Sequence, residues 1–341
     1  MPLPAPSDTP ADPRVPVTLL TGFLGAGKTT LLNRILEEEH GERCAVIVNE
    51  FGDVPVDGRL VVGADDELVE LANGCICCTV RGDLLDTLAA LLRRRKRRLL
   101  KKTKFDRILV EASGLASPGP AASTLHVPEL MGELRLDGIV TVTHAAEIVR
   151  QLGEHPEAAE QVAFADHLVL NHVDRADDAA LADAERVLQS CNPAASLERS
   201  ERAQVPIASL FGRRMPRATE LSSEHGAGDG PHDHDSHGHA AHTSGVSALA
   251  FQSDAPLDME HLKFWLGFVG ERREQELLRA KGVVRCVGQR HGVVVQVVSR
   301  WLEVGPDPAQ PPPERSQLVF IGRNLDEAEL QRGWEACKAG G

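Results

Sequence analysis

The sequence predicts an α/β protein with a mostly parallel sheet covered by helices on both faces, followed by a smaller α+β domain. Short apolar runs rich in β-branched residues alternate with segments of helical periodicity up to about residue 212. Buried parallel strands are typically continuous apolar runs, because helices cover both sides of the sheet. The length of 341 residues exceeds the usual size of one hydrophobic core and predicts two domains.

The first domain is predicted to begin with a strand at VPVTLL. A helix follows in which Leu31, Leu32, Ile35 and Leu36 recur at helical spacing, and it stops near Gly41. Further helices are predicted at DLLDTLAALL and ALADAERVLQSC. The remaining strands are predicted, in chain order, at CAVIVNE, FDRILVEASG, LDGIVTVTHA, ADHLVLNHVD and, closing the series, QVPIASL.

The composition changes near residue 213, where SSEHGAGDGPHDHDSHGHAAHTSG is rich in Gly, His and Asp and has no apolar periodicity. We predict a disordered linker over 213–245 and a second domain over 246–341. The predicted strands of this domain are VSALAFQ, VVRCVG, GVVVQVVSRW and SQLVFIG, and its amphipathic helix is DMEHLKFWLGFVGE. Asn324 and Glu327 form a predicted capping pair that opens a final helix through Cys337.

Composition and charge restrict the class of protein. The start, MPLPAPSDTPADPRVP, has no charged or apolar signal region, so 1–14 is predicted to be a disordered leader and 15–212 the first domain. No apolar run approaches the roughly 20 residues of a membrane helix. A net charge of −13 disfavours general nucleic-acid binding. We therefore expect a cytoplasmic protein whose seven cysteines are reduced.

The strongest motif is a complete G-x-x-x-x-G-K-T at 22–29, which lies directly between a predicted strand and a predicted helix. Glycines let the backbone wrap around phosphates, while the amides and the helix amino terminus supply positive potential. Lys28 is expected to reach the β- and γ-phosphates, and the Thr29 hydroxyl is expected to ligate Mg²⁺. The predicted nucleotide-binding residues of this P-loop are Gly22, Gly25, Ala26, Gly27, Lys28, Thr29 and Thr30.

Two strand ends complete the predicted nucleotide site. Glu111 and Gly114 follow one strand; the carboxylate is suited to holding Mg²⁺ through a water, and the Gly114 amide to sensing the γ-phosphate. Asn171 and Asp174 follow another strand, and a carboxylate at Asp174 accepts both the N1–H and the 2-amino group of guanine, which adenine lacks. A turn that simply favours Asn and Asp is the alternative. His172 replaces the lysine of the usual GTPase pattern, so we expect guanine preference with weaker affinity.

Cys75, Cys77 and Cys78 place three thiols within four positions of a chain that has seven cysteines. Thiolates are soft ligands for transition metals, and a closed structural zinc site needs four ligands. No second cysteine pair completes the set, so an open or labile site is predicted. The motif lies between the P-loop and Glu111, which predicts that metal and nucleotide influence each other. An inert buried cluster is the alternative, and the lone Cys44, Cys191, Cys286 and Cys337 are expected to be buried apolar residues.

The linker and one helical insertion carry two further signals. Six histidines of the linker predict a weak auxiliary metal site, and a polar spacer is the alternative. They are His225, His232, His234, His237, His239 and His242, mixed with Asp233 and Asp235, and His232, His234, His237 and His239 are the favoured ligands. The run RRRKRRLLKKTK at 93–104 has nine basic residues in twelve. A solvated helix extension is favoured there over a docking patch for an acidic client or nucleic acid.

These motifs together resemble those of the CobW-like P-loop GTPases. The resemblance rests on 22–29, VNEFGD at 48–53, GCICC at 74–78, EASGLASP at 111–118 and the Asn171 and Asp174 pair, and VSALAFQ through SQLVFIGR resembles that family's C-terminal domain. It implies a SIMIBI-type P-loop NTPase fold, slow GTP hydrolysis and a role as metallochaperone or metalloenzyme activator. By position, it implies that Cys75, Cys77 and Cys78 ligate the metal. It also implies that Glu50 and Asp57 lie on a switch segment near Mg²⁺.

The predicted function is a GTPase whose nucleotide cycle controls a cysteine metal site and transfers the metal, zinc being favoured, to a client metalloprotein. The predicted catalytic residues are Lys28, Thr29, Glu50 and Glu111, and the expected cofactors are GTP, Mg²⁺ and Zn²⁺, with Co²⁺ as an alternative. The second domain is expected to be a client or oligomer interface. The alternatives are a cobalt chaperone for cobalamin synthesis, a nitrile hydratase activator, an ATP-using P-loop kinase, and a metal store or sensor without essential GTPase activity.

Overall fold

The computed structural model describes residues 12–49, 69–70, 76–79, 84–96, 105–212, 245–273 and 275–339. Most of the predicted leader and linker, and residues 97–104 of the basic run, lie outside the described residues. Within the described part, the chain forms an eight-stranded sheet and a separate five-stranded sheet. No described helix is both long and apolar enough to span a bilayer.

The first sheet has the strand order β3-β4-β2-β5-β1-β6-β7-β8, and all neighbours run parallel except β3 and β4. Its strands are β1 (Val15–Thr21), β2 (Cys44–Asn49), β3 (Val69–Glu70), β4 (Ile76–Thr79), β5 (Arg107–Ala112), β6 (Leu134–His144), β7 (His167–Asn171) and β8 (Ser196–Arg199). The predicted mostly parallel α/β fold is therefore confirmed.

Helices cover both faces of this sheet, as predicted. They are α1 (Lys28–Glu37), α2 (Leu84–Lys96), α3 (Pro118–Thr124), α4 (Pro128–Met131), α5 (Ile148–Glu154), α6 (Pro156–Phe164), α7 (Asp178–Cys191) and α8 (Ile207–Leu210). Helices α1 and α8 bury their apolar residues in one cluster with strand residues, and α2 through α7 bury theirs in the other. Within the basic run, Arg93 to Lys96 continue α2 as exposed residues, as expected of a solvated extension.

The prediction that QVPIASL forms the closing strand is wrong. The closing strand is β8, which precedes it, and Ile207–Leu210 forms α8 directly after Pro206. Proline has no backbone N–H to donate to a strand ladder, and the buried Ile207 and Leu210 are three positions apart, which is helical spacing. Strand β8 escapes sequence detection because it is short and none of its residues is buried.

The second sheet is antiparallel, with the order β12-β11-β10-β13-β9. Its strands are β9 (Val246–Ser253), β10 (Leu277–Val284), β11 (Val293–Val298), β12 (Trp301–Pro306) and β13 (Ser316–Arg323), and its helices are α9 (Met259–Arg272) and α10 (Glu327–Ala336). Both helices share an apolar cluster with this sheet. We call the part of the chain that forms the eight-stranded sheet the first unit, and the five-stranded sheet with α9 and α10 the second unit. The opposite side of the second sheet contributes Leu278, Val298, Val319 and Ile321 to the large core of the first unit. The predicted α+β domain is therefore confirmed.

Three details of the second unit differ from prediction. Only the first two residues of VVRCVG belong to a strand, because β10 runs from Leu277 to Val284. The sequence does not reveal β10 as a buried strand because the strand contains two charged residues, Arg279 and Lys281. GVVVQVVSRW contains all of β11 and the first residue of β12, because Ser299 has a φ of 54° and turns the chain between them. The cap of α10 is Asp326, whose side chain accepts a hydrogen bond from the Glu329 backbone, and not Asn324.

Candidate functional site

The P-loop joins the carboxyl end of β1 to α1, and its three motif glycines, Gly22, Gly25 and Gly27, all have positive φ. A Cβ on Gly22 would lie 2.1 Å from the Val142 carbonyl oxygen, and one on Gly27 would lie 2.4 Å from Nδ2 of Asn171. Only glycine allows both the left-handed backbone and such close packing. The loop is therefore held in one narrow turn against β6 and β7.

Lys28 is the first residue of α1, and its side chain folds back into the loop. Its Nζ donates hydrogen bonds to the carbonyl oxygens of Gly22, at 2.7 Å, and Phe23, at 3.2 Å. Lys28 is buried, and lysine is rarely buried unless polar groups pair with its ammonium, as these two carbonyl oxygens do. An ammonium group and the amino end of a ten-residue helix thus meet in the same turn, which favours bound phosphate.

Thr29 and Glu111 are brought together as predicted. The Thr29 hydroxyl donates to Oε1 of Glu111 at 3.1 Å, and the Glu111 side chain is buried at the end of β5. The two residues meet because β1 and β5 are parallel neighbours with Leu20 opposite Glu111. Oxygen ligands of this kind, supplemented by water and phosphate, are what Mg²⁺ prefers. Across the described residues, no group of three or more His, Cys, Asp and Glu side chains could hold a metal.

The loop 113–117 leaves β5 after Glu111 and lies against the P-loop. A Cβ on Gly114 would be 2.5 Å from Cδ2 of Leu24, so the predicted γ-phosphate residue does lie beside the phosphate turn. Gln161 of α6, which the sequence does not single out, holds this loop. Its Nε2 donates to the carbonyl oxygens of Gly114, at 3.0 Å, and Ala116, at 3.1 Å. Only the fold brings Gln161 here, so sequence gives no signal for it.

Asn171 ties together three segments of the predicted guanine site. Its Nδ2 donates to the Ala26 carbonyl oxygen at 2.9 Å, and its Oδ1 accepts from the Ala203 amide at 2.8 Å. Asn171 is fully buried, whereas Asp174 is exposed in a short 3₁₀ turn, Val173–Arg175. The loop at Arg202 and Ala203, both with positive φ, is a part of the site that the sequence reasoning misses. A non-glycine pair in that conformation has no local sequence signature.

His172 adopts a left-handed conformation with a φ of 60°, and its ring stacks on that of His144 at a centroid distance of 4.3 Å. Its Nε2 lies 3.7 Å from the position of a Cβ on Gly27, so the ring touches the P-loop. Burial, together with the neighbouring His172, lowers the pKa of His144. The stacked pair thus packs against the P-loop at the position where the usual pattern has lysine, and His144 is not identified from the sequence.

The cysteine motif is described only in the backbone of Cys77 and Cys78. Both lie in β4, opposite Val46 and Ile47 of β2, and the next residue, Thr79, is level with Val48 and therefore with Glu111. Neighbouring strands are about 4.8 Å apart, so this backbone lies about 10 Å from that of β5. Cys75, Glu50, Asp57 and the linker histidines, His225 through His242, lie outside the described residues, so these predicted site residues stay predictions.

The four lone cysteines are buried, as predicted, and none of them forms a disulfide within the described part of the chain. Burial raises the pKa of Cys286 and Cys337 to about 11 in each case. A thiol with a raised pKa is a poor nucleophile and a poor metal ligand at neutral pH. The raised pKa therefore favours a structural role for Cys286 and Cys337.

Two family models match the chain. The first, described as CobW/HypB/UreG, nucleotide-binding domain, matches residues 16–198, and the second, described as cobalamin synthesis protein cobW C-terminal domain, matches residues 246–338. The chain is 32% identical to the zinc chaperone YjiA of Escherichia coli over 95% of this chain and 99% of that protein. It is 30% identical to the zinc chaperone CobW of a Sinorhizobium species over 93% of this chain and 96% of that protein.

Solved structures of the E. coli protein are also similar. A Zn(II)-bound YjiA GTPase matches with a TM-score of 0.73 and 30% identity, over 95% of this chain and 99% of that one. A Zn(II)-bound variant of the same GTPase, in which one glutamate and two cysteines are replaced by alanine, matches with a TM-score of 0.72.

Proposed function

Because this chain belongs to the CobW/HypB/UreG family of nucleotide-binding proteins, we propose that it is a GTPase that binds zinc and delivers it to a client metalloprotein. The observation that carries the nucleotide part is the meeting of Thr29, Glu111 and the P-loop turn at one edge of the sheet. The zinc part is supported by the relatives, which are named zinc chaperones, and by the zinc-bound structures of one of them.

Each residue of the site has a distinct task in binding GTP. The Lys28 ammonium neutralises the β- and γ-phosphate oxygens, and the loop amides of 22–29 donate to them. Thr29 and Glu111 hold Mg²⁺, which when bound supplies positive charge to the phosphates. Asp174 accepts from guanine, while Asn171 fixes the distance between the base side and the P-loop through its two hydrogen bonds. Glu50 stays a candidate for placing the attacking water.

The nucleotide proposal is tested by measuring phosphate release from GTP and ATP. Wild type should hydrolyse GTP slowly and prefer it over ATP, and Asp174→Ala should lose the preference because guanine loses its paired acceptor. Asp177→Ala, which removes the exposed cap of α7, is the matched control and should keep the preference. Equal use of ATP by wild type would support the kinase alternative instead.

We propose that Cys75, Cys77 and Cys78 hold the zinc and that the bound nucleotide changes their affinity for it. The backbone of β4 supports this coupling, because β4 pairs with β2, and β2 pairs with the strand that carries Glu111. We propose that changes at the Glu111 end of β5 reach β4 through the adjacent backbone of β2. The linker histidines are proposed as a weak loading site, and Co²⁺ stays an alternative cargo.

The test measures zinc affinity and not only the presence of bound zinc. The reason is that a YjiA variant with two cysteines replaced by alanine still has zinc bound in its crystal structure. The Cys75, Cys77, Cys78→Ala triple variant and wild type are compared by chelator competition with a non-hydrolysable GTP analogue, GDP or no nucleotide. We expect one tight site to be lost, together with its dependence on nucleotide. Cys191→Ala, a buried thiol elsewhere, is the control. Equal affinity of the triple variant and wild type in all three states contradicts the proposal. Full capacity and no nucleotide dependence after Lys28→Ala supports the store or sensor alternative.

The client metalloprotein, the oligomeric state, the cellular location and the domain boundaries of this chain are also proposals. Residues 15–212 and 246–341 are the proposed domains, and the second one is the proposed client or oligomer surface. A cytoplasmic location stays a prediction. Incubation of the zinc-loaded chain with apo-metalloproteins, with GTP or the analogue, tests transfer: the recipient should gain zinc faster with GTP than with the analogue, because transfer requires hydrolysis.

A further inference from the structure

The loop 113–117 is joined to the second unit through helix α6. Gln161 lies in the middle of α6, is buried, and donates to the two loop carbonyl oxygens of Gly114 and Ala116. Its own carbonyl oxygen accepts from the Thr141 hydroxyl at 2.8 Å, which fixes the helix against β6. Its Oε1 is buried and accepts no hydrogen bond from any described residue. A buried acceptor without a hydrogen bond raises the free energy of the folded state. A different position of the loop that brought an N–H group to Oε1 of Gln161 would remove that penalty.

The second unit grips the same helix at both of its ends. At the carboxyl end, Arg279 of β10 donates to the Phe164 carbonyl oxygen and to Asp166. At the amino end, Arg323 of β13 donates to the Pro156 carbonyl oxygen at 3.5 Å, and it also pairs with Glu160 in the middle of the helix at 2.8 Å. Arg279 and Asp166 are almost completely buried, so this contact belongs to a packed core and not to a loose surface. Any displacement of α6 is therefore passed to the sheet that contains β10 and β13.

A second route starts from the same loop. The loop continues directly into α3, where Gly119 packs on the Phe164 ring of α6, since a Cβ there would lie 3.1 Å from Cζ. Just beyond α3, the His126 ring stacks on Trp301 of β12 at a centroid distance of 3.8 Å. The segment that follows Glu111 thus touches the second sheet by two separate contacts, one through α6 and one direct.

We propose that the second unit is a moving part of the nucleotide switch, and that α6 and α3 transmit the position of loop 113–117 to its sheet. The inference rests on the proposed GTPase function, since it assigns the loop to the γ-phosphate. Order and position of such segments commonly depend on that phosphate. Coupling is reciprocal, so a client held by the second unit changes the affinity for GTP by the same factor that GTP changes the affinity for the client.

Intrinsic fluorescence of the full chain provides the test. The sequence has three tryptophans, Trp265, Trp301 and Trp334, all in the second unit, and no tyrosine. Tryptophan emission therefore comes only from side chains of the second unit, one of which, Trp301, stacks on His126 of the first unit. Emission is compared with saturating Mg²⁺-GDP and with a Mg²⁺-bound non-hydrolysable GTP analogue, while binding of each nucleotide is measured separately by calorimetry. Wild type should show different emission in the two states.

Two variants test the route. Gln161→Leu removes both loop hydrogen bonds, and Arg323→Ala removes the partly buried ion pair with Glu160 of α6. Each variant should reduce the emission difference at least about twofold, and the ratio of the two nucleotide affinities should change in parallel. The controls are Gln151→Leu, a buried glutamine on the neighbouring helix α5, and Arg199→Ala, whose ion pair with Glu185 lies within the first unit. Neither control should alter the difference.

The outcomes separate the two proposals. If neither nucleotide binds, the proposed function fails. If both bind and wild-type emission is identical in the two states, the coupling is wrong while the GTPase stands. The coupling is also wrong if Arg323→Ala keeps the full difference; this variant removes one partly buried ion pair and should fold even if Gln161→Leu does not.

Discussion

Asp166→Asn should destabilise the whole chain, because Asp166 is the carboxylate on which the contact between the two units is built. Its Oδ1 accepts from Arg279 and, at 2.7 Å, from Lys281, and its Oδ2 accepts from the Ile139 amide at 2.9 Å. Lys281 and Arg279 are as buried as Asp166 itself. Asparagine keeps one oxygen acceptor but removes the negative charge that balances two buried cations.

The expected cost is about 3 kcal/mol in the free energy of unfolding. Removing one partner of a buried ion pair typically costs about 3–5 kcal/mol. The lower end applies here, because Arg279 also donates to the Phe164 carbonyl oxygen and keeps that partner. At about 2 °C per kcal/mol for a chain of this size, the melting temperature should fall by about 6 °C.

Urea denaturation followed by tryptophan emission and by circular dichroism measures this cost. The first signal reports the second unit and the second signal reports the whole chain, so a loosened contact should also separate the two transitions. Asp106→Asn is the control, because Asp106 pairs with Arg43 at the surface, where an ion pair contributes less than about 1 kcal/mol. Equal stability of the two variants would refute the assignment of Asp166 as the central carboxylate.

The pH dependence of the same difference gives a second check. Burial alone would raise the pKa of Asp166, but Arg279 and Lys281 outweigh burial and hold the pKa below its ordinary value. A carboxyl whose folded pKa is lowered stabilises the fold above its unfolded pKa of about 4, and that contribution is lost as the pH falls through the folded pKa. The difference between wild type and Asp166→Asn should therefore shrink below about pH 4. A constant difference down to pH 2 contradicts the reasoning.

Three further predictions concern the nucleotide site. Gly27→Ala should weaken GDP binding at least about tenfold in calorimetry, because the added methyl group collides with Asn171. Gly25→Ala has open space around the added methyl group, so its only expected effect is a loss of stability of roughly 1–3 kcal/mol from backbone strain. Glu111→Gln should lower the rate of phosphate release about a hundredfold while leaving Mg²⁺-free GDP binding unchanged, since only the ionised carboxylate balances a divalent cation. Burial and His172 lower the pKa of His144, so wild-type stability should fall as the pH drops below about 6.5. His144→Phe should remove that component in urea titrations at pH 5.5 and 7.5; an unchanged pH profile contradicts it.

The sequence predicts the fold and the phosphate side of the site well, because both depend on local patterns. Five parallel strands coincide with apolar runs. The P-loop follows one of them, and Glu111 and Asn171 lie at the carboxyl ends of two others. In a parallel sheet the carboxyl ends of strands meet at one edge, so their proximity follows from topology. The meeting of Thr29 with Glu111 is therefore predictable before any distance is measured.

The features that the sequence does not predict depend on contacts between residues that are distant in the chain. Strand β10 contains Arg279 and Lys281, which resemble surface residues until Asp166, more than a hundred positions earlier, is packed against them. The same holds for Gln161, whose role requires α6 to lie beside the loop after β5, and for His144, whose partner His172 comes directly after the next strand. Local propensity contains no information about such pairs.

The shared core between the two sheets has a consequence for protein engineering. The second sheet buries Leu278, Val298, Val319 and Ile321 against helices of the first unit, and β10 adds two cations to that side. Expressed alone, the second unit would expose this apolar surface and its two cations to solvent, so it should aggregate or bind another chain. A chimera that exchanges this half between relatives must therefore also exchange the segment around Asp166, because the natural crossover point follows side-chain packing and not the composition change near residue 213.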